Sequence, residues 1–305
     1  MGKYILRRLV MSVPVMIGVS IVAFLIMHLT PGDPAQLLAG PDATIEDVQL
    51  IRDRFGLDEP LPVQYVQFVK GVFDGSLESM KYEVPAIGLI TSRLKNTAVL
   101  AGAALLLSVA LGVMAGILSA VRRYSWIDYL STSLALIGVS MPAFWLAIML
   151  VMLFAVELGW LPAAGMGGVR HIVLPAIVLG TGSAGIIARM TRSTMMDVLR
   201  QDYVTTARAK GLTERVVVYL HALRNAMIPT VTVIGMQIGS LLTGAVLTES
   251  VFAWPGVGRL LVDSILGRDY PVVQATLLVV AFIYVGGNLL VDILYAFLDP
   301  RIRYE

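Results

Sequence analysis

The chain has 305 residues, of which 57% are hydrophobic and only 14% are charged, and its formal net charge is +2 at pH 7. The charged residues gather between long apolar runs, which is typical of a membrane protein and not of a soluble core. No cysteine is present, so disulfides and thiolate metal sites are excluded, and so small a net charge gives no reason to expect nucleic acid as a partner.

Long apolar runs predict six membrane-spanning helices in an all-α integral membrane protein. A bilayer core about 30 Å thick needs roughly 20 apolar residues in helical form, because every backbone polar group in lipid must be satisfied within its own segment. The runs that qualify are residues 10–29, 97–121, 132–157, 172–190, 227–248 and 272–297. The first run is longer than the apolar part of a signal peptide and no small-residue cleavage site closes it, so we expect it to be retained.

Basic residues predict the orientation, because Lys and Arg are enriched in short cytoplasmic connections. The arginines in connections 158–171 and 249–271 are only Arg170, Arg259 and Arg268. The other side receives Lys3, Arg7, Arg8, Arg122, Arg123, Arg189, Arg192, Arg200, Arg301, Arg303 and the basic stretch 205–229. Both termini are therefore expected in the cytoplasm.

A segment rich in acids and prolines separates the first two spans and is expected to be extracytoplasmic. Thr44 as N-cap and Gly56 as C-terminal glycine predict a short helix between them. A second short helix is expected to begin at residues 60–62 and to end near Gly71. The predicted regions are thus 1–30 with the first span, 31–95 as this extracytoplasmic segment, 96–298 as a five-helix core, and 299–305 as a cytoplasmic tail.

The stretch TTARAKGLTERVVVYLHALRNAMIP, residues 205–229, is unusually polar for this chain. It carries Arg208, Lys210, Arg215 and Arg224 against the single acid Glu214. No Pro or Gly occurs between Ile186 and Lys210, so the fourth span is expected to run on as one helix into the cytoplasm and to break at Gly211.

A second amphipathic helix is predicted after Gly211, with Thr213 as its N-cap and Glu214 in its first turn. The apolar residues that recur at helical spacing are Leu212, Val216, Leu220, Leu223 and Met227. Periodicity alone leaves two interpretations open. The helix either lies on anionic lipid or docks a soluble partner.

The residues from Asp202 to Pro229 resemble the cytoplasmic loop of peptide-type ABC importer permeases. In the broader superfamily the loop reads Glu-Ala-Ala, three residues, Gly, nine residues, Ile, one residue, Leu-Pro, and Ala207, Gly211 and Leu223 agree with it. The departures at Thr205, Thr206, His221 and Arg224 are those of the branch that includes peptide, nickel and glutathione systems.

Further phrases of that branch occur in order along nearly the whole chain. They are PGDPA at 31–35, ELGWLP at 157–162, VFAWPGVGRLLVDSI at 251–265, RDYPVVQ at 268–274 and LDPRIRY at 298–304. The chain resembles the first of two permease subunits in such dipeptide, oligopeptide, glutathione or nickel importers. The resemblance implies a type I ABC importer permease fold in the bacterial cytoplasmic (inner) membrane.

The resemblance also implies partners and a site. A second permease, two ATPase subunits or domains, and an extracytoplasmic substrate-binding protein would join this chain, and small peptides would be the substrate. Residues 191–228 would form a loop whose coupling helix enters a cleft of the ATPase. The residues carried over are Asp202, Thr205, Thr206, Ala207, Arg208, Gly211, Glu214, Arg215, Leu220, Leu223 and Arg224.

The chain itself is not expected to be an enzyme. A phosphate-binding loop GxxxxGK[ST] is absent, because the one Gly-Lys pair, at residues 2–3, is followed by Tyr4. ATP and Mg²⁺ are therefore expected in the partner ATPase subunits, and this chain is expected to hold no cofactor or metal.

Polar residues within spans are candidates for a translocation path, because burial in lipid is unfavourable unless such a group is paired or faces a cavity. The candidates are Gln237, Ser240 and Asp292. Gly235 and Gly239 form a GxxxG pattern that indicates close helix packing in the fifth span. Glu249 is expected to be solvated at a span end.

Three alternatives stay open at this point. Nickel or another small solute could replace peptides, although a path with few charges favours peptides. A secondary transporter driven by an ion gradient is less expected, since neither internal repeats nor a midplane ion site is visible. An intramembrane serine protease built on Ser183 lacks a base, because the histidines lie at span ends or in the cytoplasmic loop.

Pro142 and Pro175 are expected to kink their helices.

Overall fold

A computed structural model of the chain describes residues 2–29, 32–40 and 43–298, with side chains described for 6–29, 32–36, 39–40 and 43–289. These residues are helical or lie in turns, apart from one isolated antiparallel bridge between Glu78 and Pro85. They divide into two compact units. The N-terminal unit consists of residues 2–96 and 255–286, and the core unit of residues 97–254 with the part from Gly287 onward.

The helices follow one another in chain order with short connections. They are α1 (Gly2–Leu29), α2 (Pro34–Ala39), α3 (Ile45–Phe55), α4 (Leu61–Asp74), α5 (Ala86–Val121), α6 (Trp126–Ser140), α7 (Ala143–Leu150), α8 (Val169–Val198), α9 (Asp202–Ala209), α10 (Glu214–Val216), α11 (Leu223–Val251), α12 (Val257–Leu266) and α13 (Tyr270–Leu298). Two π-helical segments, Val151–Glu157 and Val217–Ala222, continue α7 and α10.

Five helices within the described residues are long and apolar enough to span a membrane. They cover Leu6–Leu29, Ala86–Val121, Val169–Val198, Glu214–Val251 and Tyr270–Leu289. The number becomes six if the bent pair Trp126–Ser140 and Ala143–Glu157 forms one span. Each predicted apolar run is therefore helical, and the prediction of an all-helical membrane protein is confirmed.

The third predicted run, 132–157, is not one kinked helix. Its two halves meet at an angle of 108° around Met141 and Pro142. Met141 has extended backbone angles (φ −77°, ψ 126°), because a proline disfavours helical angles in the residue before it. Pro142 then precedes α7, where its missing N–H costs no helical hydrogen bond. The predicted effect of Pro142 is thus stronger than a kink.

The N-terminal unit is built on an apolar cluster of α1, α4, α12 and α13, which includes Phe24, Phe68, Leu260 and Val272. Hydrogen bonds to buried polar groups stabilise the segments between its helices. Asp269 is buried and accepts hydrogen bonds from the Ser79 hydroxyl (2.5 Å) and the Met80 amide (3.1 Å). Burial of a carboxylate is tolerated here because several donors satisfy it.

The two short helices predicted after the first span are present. Thr44 caps α3 in a capping box with Asp47, and Gly56 ends it in the left-handed conformation. The second helix, α4, ends at Asp74 with Gly75 (φ +77°) as its C-cap, three residues beyond the predicted end near Gly71. Gly71 lies within the helix, and Leu77 Cβ is 3.2 Å from where a Cβ of residue 71 would lie.

The core unit is organised around α8, which packs against α6, α7 and α11. Small residues allow its closest approaches. A Cβ added at Gly112 or Gly116 of α5 would lie 2.8 Å from Ile187 Cβ or 2.5 Å from Thr191 Cβ. Close backbone approach at small residues is typical of membrane helix packing.

Candidate coupling site

The loop predicted at residues 191–228 is formed by the end of α8, by α9, and by the helix that begins at Glu214. The prediction of one helix from Ile186 to Lys210 is wrong, because α8 ends at Val198 and a turn leads to Gln201 (ψ 149°), which precedes α9. The turn brings Val204 and Ala207 of α9 against Val217. Burial of these side chains against one another favours the turn over a straight continuation.

Gly211 lies in the break between the two helices of the loop, as predicted. Its φ of +80° is a conformation that other residues adopt only at a cost. A Cβ added there would meet nothing within 4 Å, so the backbone angle and not the available space requires glycine.

Arg208 and Glu214 face each other across this turn. The guanidinium donates twice to the carboxylate, from Nη2 to Oε1 at 2.7 Å and from Nε to Oε2 at 3.2 Å. The hydrogen bond to Glu214 raises the pKa of the Arg208 guanidinium above its usual value. Thr213 is the N-cap and Glu214 stands in the first turn, as predicted, although the Thr213 side chain makes no capping hydrogen bond.

One face of the second helix of the loop is buried within the chain. Val218, Ala222 and Ala226 pack against Met195 of α8 and Ile117 of α5. Leu212, Val216 and Leu220 belong to the apolar face that was predicted to meet lipid or a partner, and they are exposed. The π-helical segment Val217–Ala222 lies in this stretch, and its wider turn changes which side chains lie above one another.

The second helix of the loop is also continuous with a candidate membrane span. It continues from Glu214 through the π-helical segment into α11 and ends at Val251 without a break. Leu223 is partly buried against the Met195 cluster. The second helix of the loop and the candidate span that follows it therefore form one continuous helix.

One side of the loop presents large exposed residues. Tyr219 is 58% exposed and Leu220 is 64% exposed, and Tyr203 and Val216 are also exposed. Asn225 donates a hydrogen bond of 2.8 Å to the Tyr203 hydroxyl and so restrains that ring. We call these four residues, Tyr203, Val216, Tyr219 and Leu220, the outer face of the loop.

The remaining predicted loop residues differ in their burial. Ala207 is buried, and its role is packing. Thr206 donates to the carbonyl of Asp202 within α9 (2.9 Å). The residues that are exposed are Asp202, Thr205, Thr206, Arg208, Gly211, Glu214, Arg215 and Arg224.

Sequence reasoning missed an ion pair next to the loop. The carboxylate of Asp128, which is 2% exposed, accepts hydrogen bonds from Nε (2.7 Å) and Nη2 (2.9 Å) of Arg192. The Ser119 hydroxyl and the Tyr124 amide (2.9 Å) also donate to this carboxylate. The group joins α5, α6 and α8. The sequence signal for this pair is an arginine just after an apolar run, which predicts orientation and not pairing.

The structure describes the side chains of two of the three predicted path residues, Gln237 and Ser240. Gln237 is buried within the core unit, whereas Ser240 on the next turn of α11 is exposed. Asp292 falls within α13, but its side chain lies outside the described residues.

The burial of Glu249 differs from the prediction. It is fully buried, and its Oε1 accepts a hydrogen bond of 2.7 Å from the Thr97 hydroxyl. The expected solvation at the span end is therefore wrong.

Two family descriptions together match almost the whole chain. Residues 112–304 match "Binding-protein-dependent transport system inner membrane component", and residues 1–109 match "Binding-prot-dependent transport system membrane comp, N-term".

Curated relatives match over their full length. The chain is 46% identical over 333 residues to the dipeptide transport system permease protein DppB of Alkalihalophilus pseudofirmus, with 100% of both chains covered. It is 45% identical over 306 residues to the glutathione transport system permease protein GsiC of Escherichia coli (strain K12), again with 100% of both chains covered.

Solved structures share the fold. An inward-facing MetNI methionine ABC transporter chain matches with a TM-score of 0.61 and 18% identity, covering 70% of this chain and 98% of its own. A chain of an amino acid ABC transporter matches with a TM-score of 0.55 and 14% identity, covering 69% of this chain and 94% of its own.

Proposed function

The chain belongs to the family of binding-protein-dependent inner-membrane permeases of ABC importers, and on that premise we propose that its loop couples ATP hydrolysis in a partner to the uptake of small peptides. The chain is a multi-pass transport component of the inner membrane and not itself an enzyme. Membership of this family excludes the intramembrane protease and the gradient-driven transporter.

The observation that carries the coupling role is the outer face of the loop. Tyr219 and Leu220 are large, exposed and adjacent, and they stand on a helix whose opposite face is buried. Aromatic and aliphatic anchors on a helix are what a groove in a protein partner binds, since they bury much area at little entropic cost. Arg215 and Arg224 flank the face and suit an acidic rim.

Apolar packing and an ion pair connect the parts of the loop. Val204, Ala207 and Val217 pack α9 onto the second helix, and Arg208 with Glu214 closes the turn between them. Because that helix continues into α11, a partner that moves the outer face moves a membrane span directly. Contact with Met195 and Ile117 passes the same movement to α8 and α5.

Alternating access then follows from differential binding. An ATPase pair that closes on ATP holds the loop in one position, and a loaded binding protein on the opposite side favours one arrangement of the spans. In this proposal a second permease completes the path, two ATPase subunits or domains hold ATP and Mg²⁺, and an extracytoplasmic binding protein delivers the substrate.

The proposed substrate class is small peptides. The names of the two relatives above refer to a dipeptide and to glutathione, both of which are short peptides, at 46% and 45% identity over the full chain. Nickel or another small solute is the second candidate, and it rests only on the branch resemblance of the loop.

Co-purification in mild detergent tests the coupling role. A tagged chain is purified with its partners, and ATP hydrolysis is measured with binding protein and with candidate peptides or nickel. We expect Tyr219→Asp with Leu220→Asp to lose the ATPase subunits while keeping the second permease. The matched control is Leu50→Asp, an equally exposed apolar residue in α3. Retention of the ATPase by the double variant would contradict the proposal.

A further inference from the structure

A cavity of about 310 Å³ lies in the core unit beside the loop. Its apolar wall is formed by Ala120 and Val121 at the end of α5 and by Met196 and Leu199 at the end of α8. These are the helix ends that lead to residues predicted to be cytoplasmic. The volume is at the lower end of the range for small-molecule sites and suits a compact group more than a whole lipid.

The polar wall of this cavity is entirely cationic, with Arg123, Arg200 and Arg208. Glu214 neutralises Arg208. Arg123 and Arg200 have no acidic partner among the described side chains, and the Arg123 guanidinium lies 5.3 Å from the centroid of the Tyr124 ring. Two uncompensated positive charges at one cavity attract an anion.

The neighbouring residues place the cavity at the depth of lipid headgroups. Tyr124, Trp126 and Tyr129 are all strongly exposed and directly follow Arg122 and Arg123. Exposed Trp and Tyr beside basic residues at the end of an apolar helix mark a membrane–water interface. A group that enters this cavity therefore comes from the interface and not from the bilayer centre.

We propose that the cavity binds the headgroup of an anionic phospholipid. The lipid phosphate lies between Arg123 and Arg200, and an acyl chain leaves along the exposed side of Val121. A zwitterionic headgroup binds less well, because its ammonium adds back the positive charge that the phosphate removes. Basic pockets between membrane helices on the cytoplasmic side bind anionic headgroups by the same electrostatics.

The site connects the bilayer to the loop. Arg208 contributes to the same wall and also closes the Gly211 turn with Glu214. A phosphate bound between Arg123 and Arg200 therefore connects the ends of α5 and α8 and lies beside the first helix of the loop. The inference does not depend on peptide transport, since its test measures lipid binding.

The test uses the complete purified complex in phosphatidylcholine nanodiscs that contain a minor fraction of phosphatidylglycerol. Native mass spectrometry then measures how much of each lipid stays bound. We expect phosphatidylglycerol to be retained selectively, and Arg123→Gln with Arg200→Gln to weaken its binding about 30-fold, since each basic residue near an anionic surface contributes a factor of roughly 5. The matched control is Arg122→Gln, which changes an exposed arginine that does not line the cavity.

Three outcomes would overturn the proposal. Equal retention of phosphatidylglycerol by the double variant and the control would show that the lipid binds elsewhere. Displacement by inorganic phosphate would assign the cavity to a soluble anion. Retention by the two permeases alone, with loss once the ATPase is added, would assign it to acidic side chains of that partner.

Discussion

Asp128 on α6 and Arg192 on α8 form a bidentate ion pair at 2.7 and 2.9 Å, with the carboxylate almost fully buried. Arg192 lies three residues before Met195, the residue of α8 on which the second helix of the loop packs. The pair therefore fixes the part of α8 that supports the loop.

Removal of Asp128 should be costly, because Arg192, whose side chain is only 28% exposed, loses its charged partner. We expect Asp128→Ala to lower the free energy of unfolding by about 1.5–3 kcal/mol. Asp128→Ala with Arg192→Met should recover part of that loss, since no charge is then left alone. Thermal unfolding of the purified complex in detergent measures both.

An exposed ion pair provides the comparison. Glu78→Ala removes one of the two acidic partners of Arg54, whose side chain is half exposed, and should cost less than about 1 kcal/mol. An Asp128→Ala variant no less stable than Glu78→Ala would show that the buried pair does not hold α6 to α8.

The sequence predicted the spans and the glycine turn because both depend on local chemistry. Runs of apolar residues are long enough to be read without tertiary information. Glycine is the one residue type that tolerates a φ of +80° freely, so the position of Gly211 was enough to predict the break between the two helices of the loop.

The other features depend on contacts between distant residues. No Pro or Gly marks the end of α8 at Val198, since packing of Val204 and Ala207 against Val217 favours the turn. A regular helical period cannot anticipate the π-helical segment of the second helix. Asp128 and Arg192 are 64 residues apart, and their charges gave no sign of pairing.

Gly211 offers a test of coupling without a change in packing. Gly211→Val forces a β-branched residue into the left-handed region, which costs about 1–2 kcal/mol, and should distort the turn. Because nothing lies near the position of its Cβ, the complex should still assemble. We expect ATP hydrolysis to persist while peptide uptake falls, as measured in proteoliposomes.

Gly211→Asn is the control for that experiment, since Asn tolerates positive φ better than other side chains. It should keep most of the uptake. Normal uptake by Gly211→Val would count against a coupling role for the turn.

Substitution of Thr97 should lower the stability of the protein more than substitution of an ordinary surface threonine, because the Thr97 hydroxyl donates a hydrogen bond to the fully buried Glu249. Thr97→Val keeps the shape and removes the donor, so we expect a loss of about 1–3 kcal/mol in the free energy of unfolding. Thr97→Ser keeps the hydroxyl and should be milder. Thermal unfolding of the purified complex distinguishes the two, and equal losses would show that the hydrogen bond contributes little.

Gly116 tests the packing of α5 on α8 most directly. A Cβ at this position would lie 2.5 Å from Thr191 Cβ and 2.7 Å from the Ala188 carbonyl oxygen, and neither atom is the end of a flexible side chain. Gly116→Ala should therefore push the two helices apart and lower the free energy of unfolding by about 1–3 kcal/mol.

The same helix contains its own control. Gly102 of α5 has open space around the position of a Cβ, so Gly102→Ala should be neutral or stabilising by up to about 1 kcal/mol, since alanine favours helix more than glycine does. Because Gly116 lies on the same helix, the helix preference acts equally on both variants, and the difference between their unfolding temperatures reports the contact with Thr191 and Ala188. If Gly116→Ala unfolds at the same temperature as Gly102→Ala, close approach at Gly116 does not hold α5 to α8.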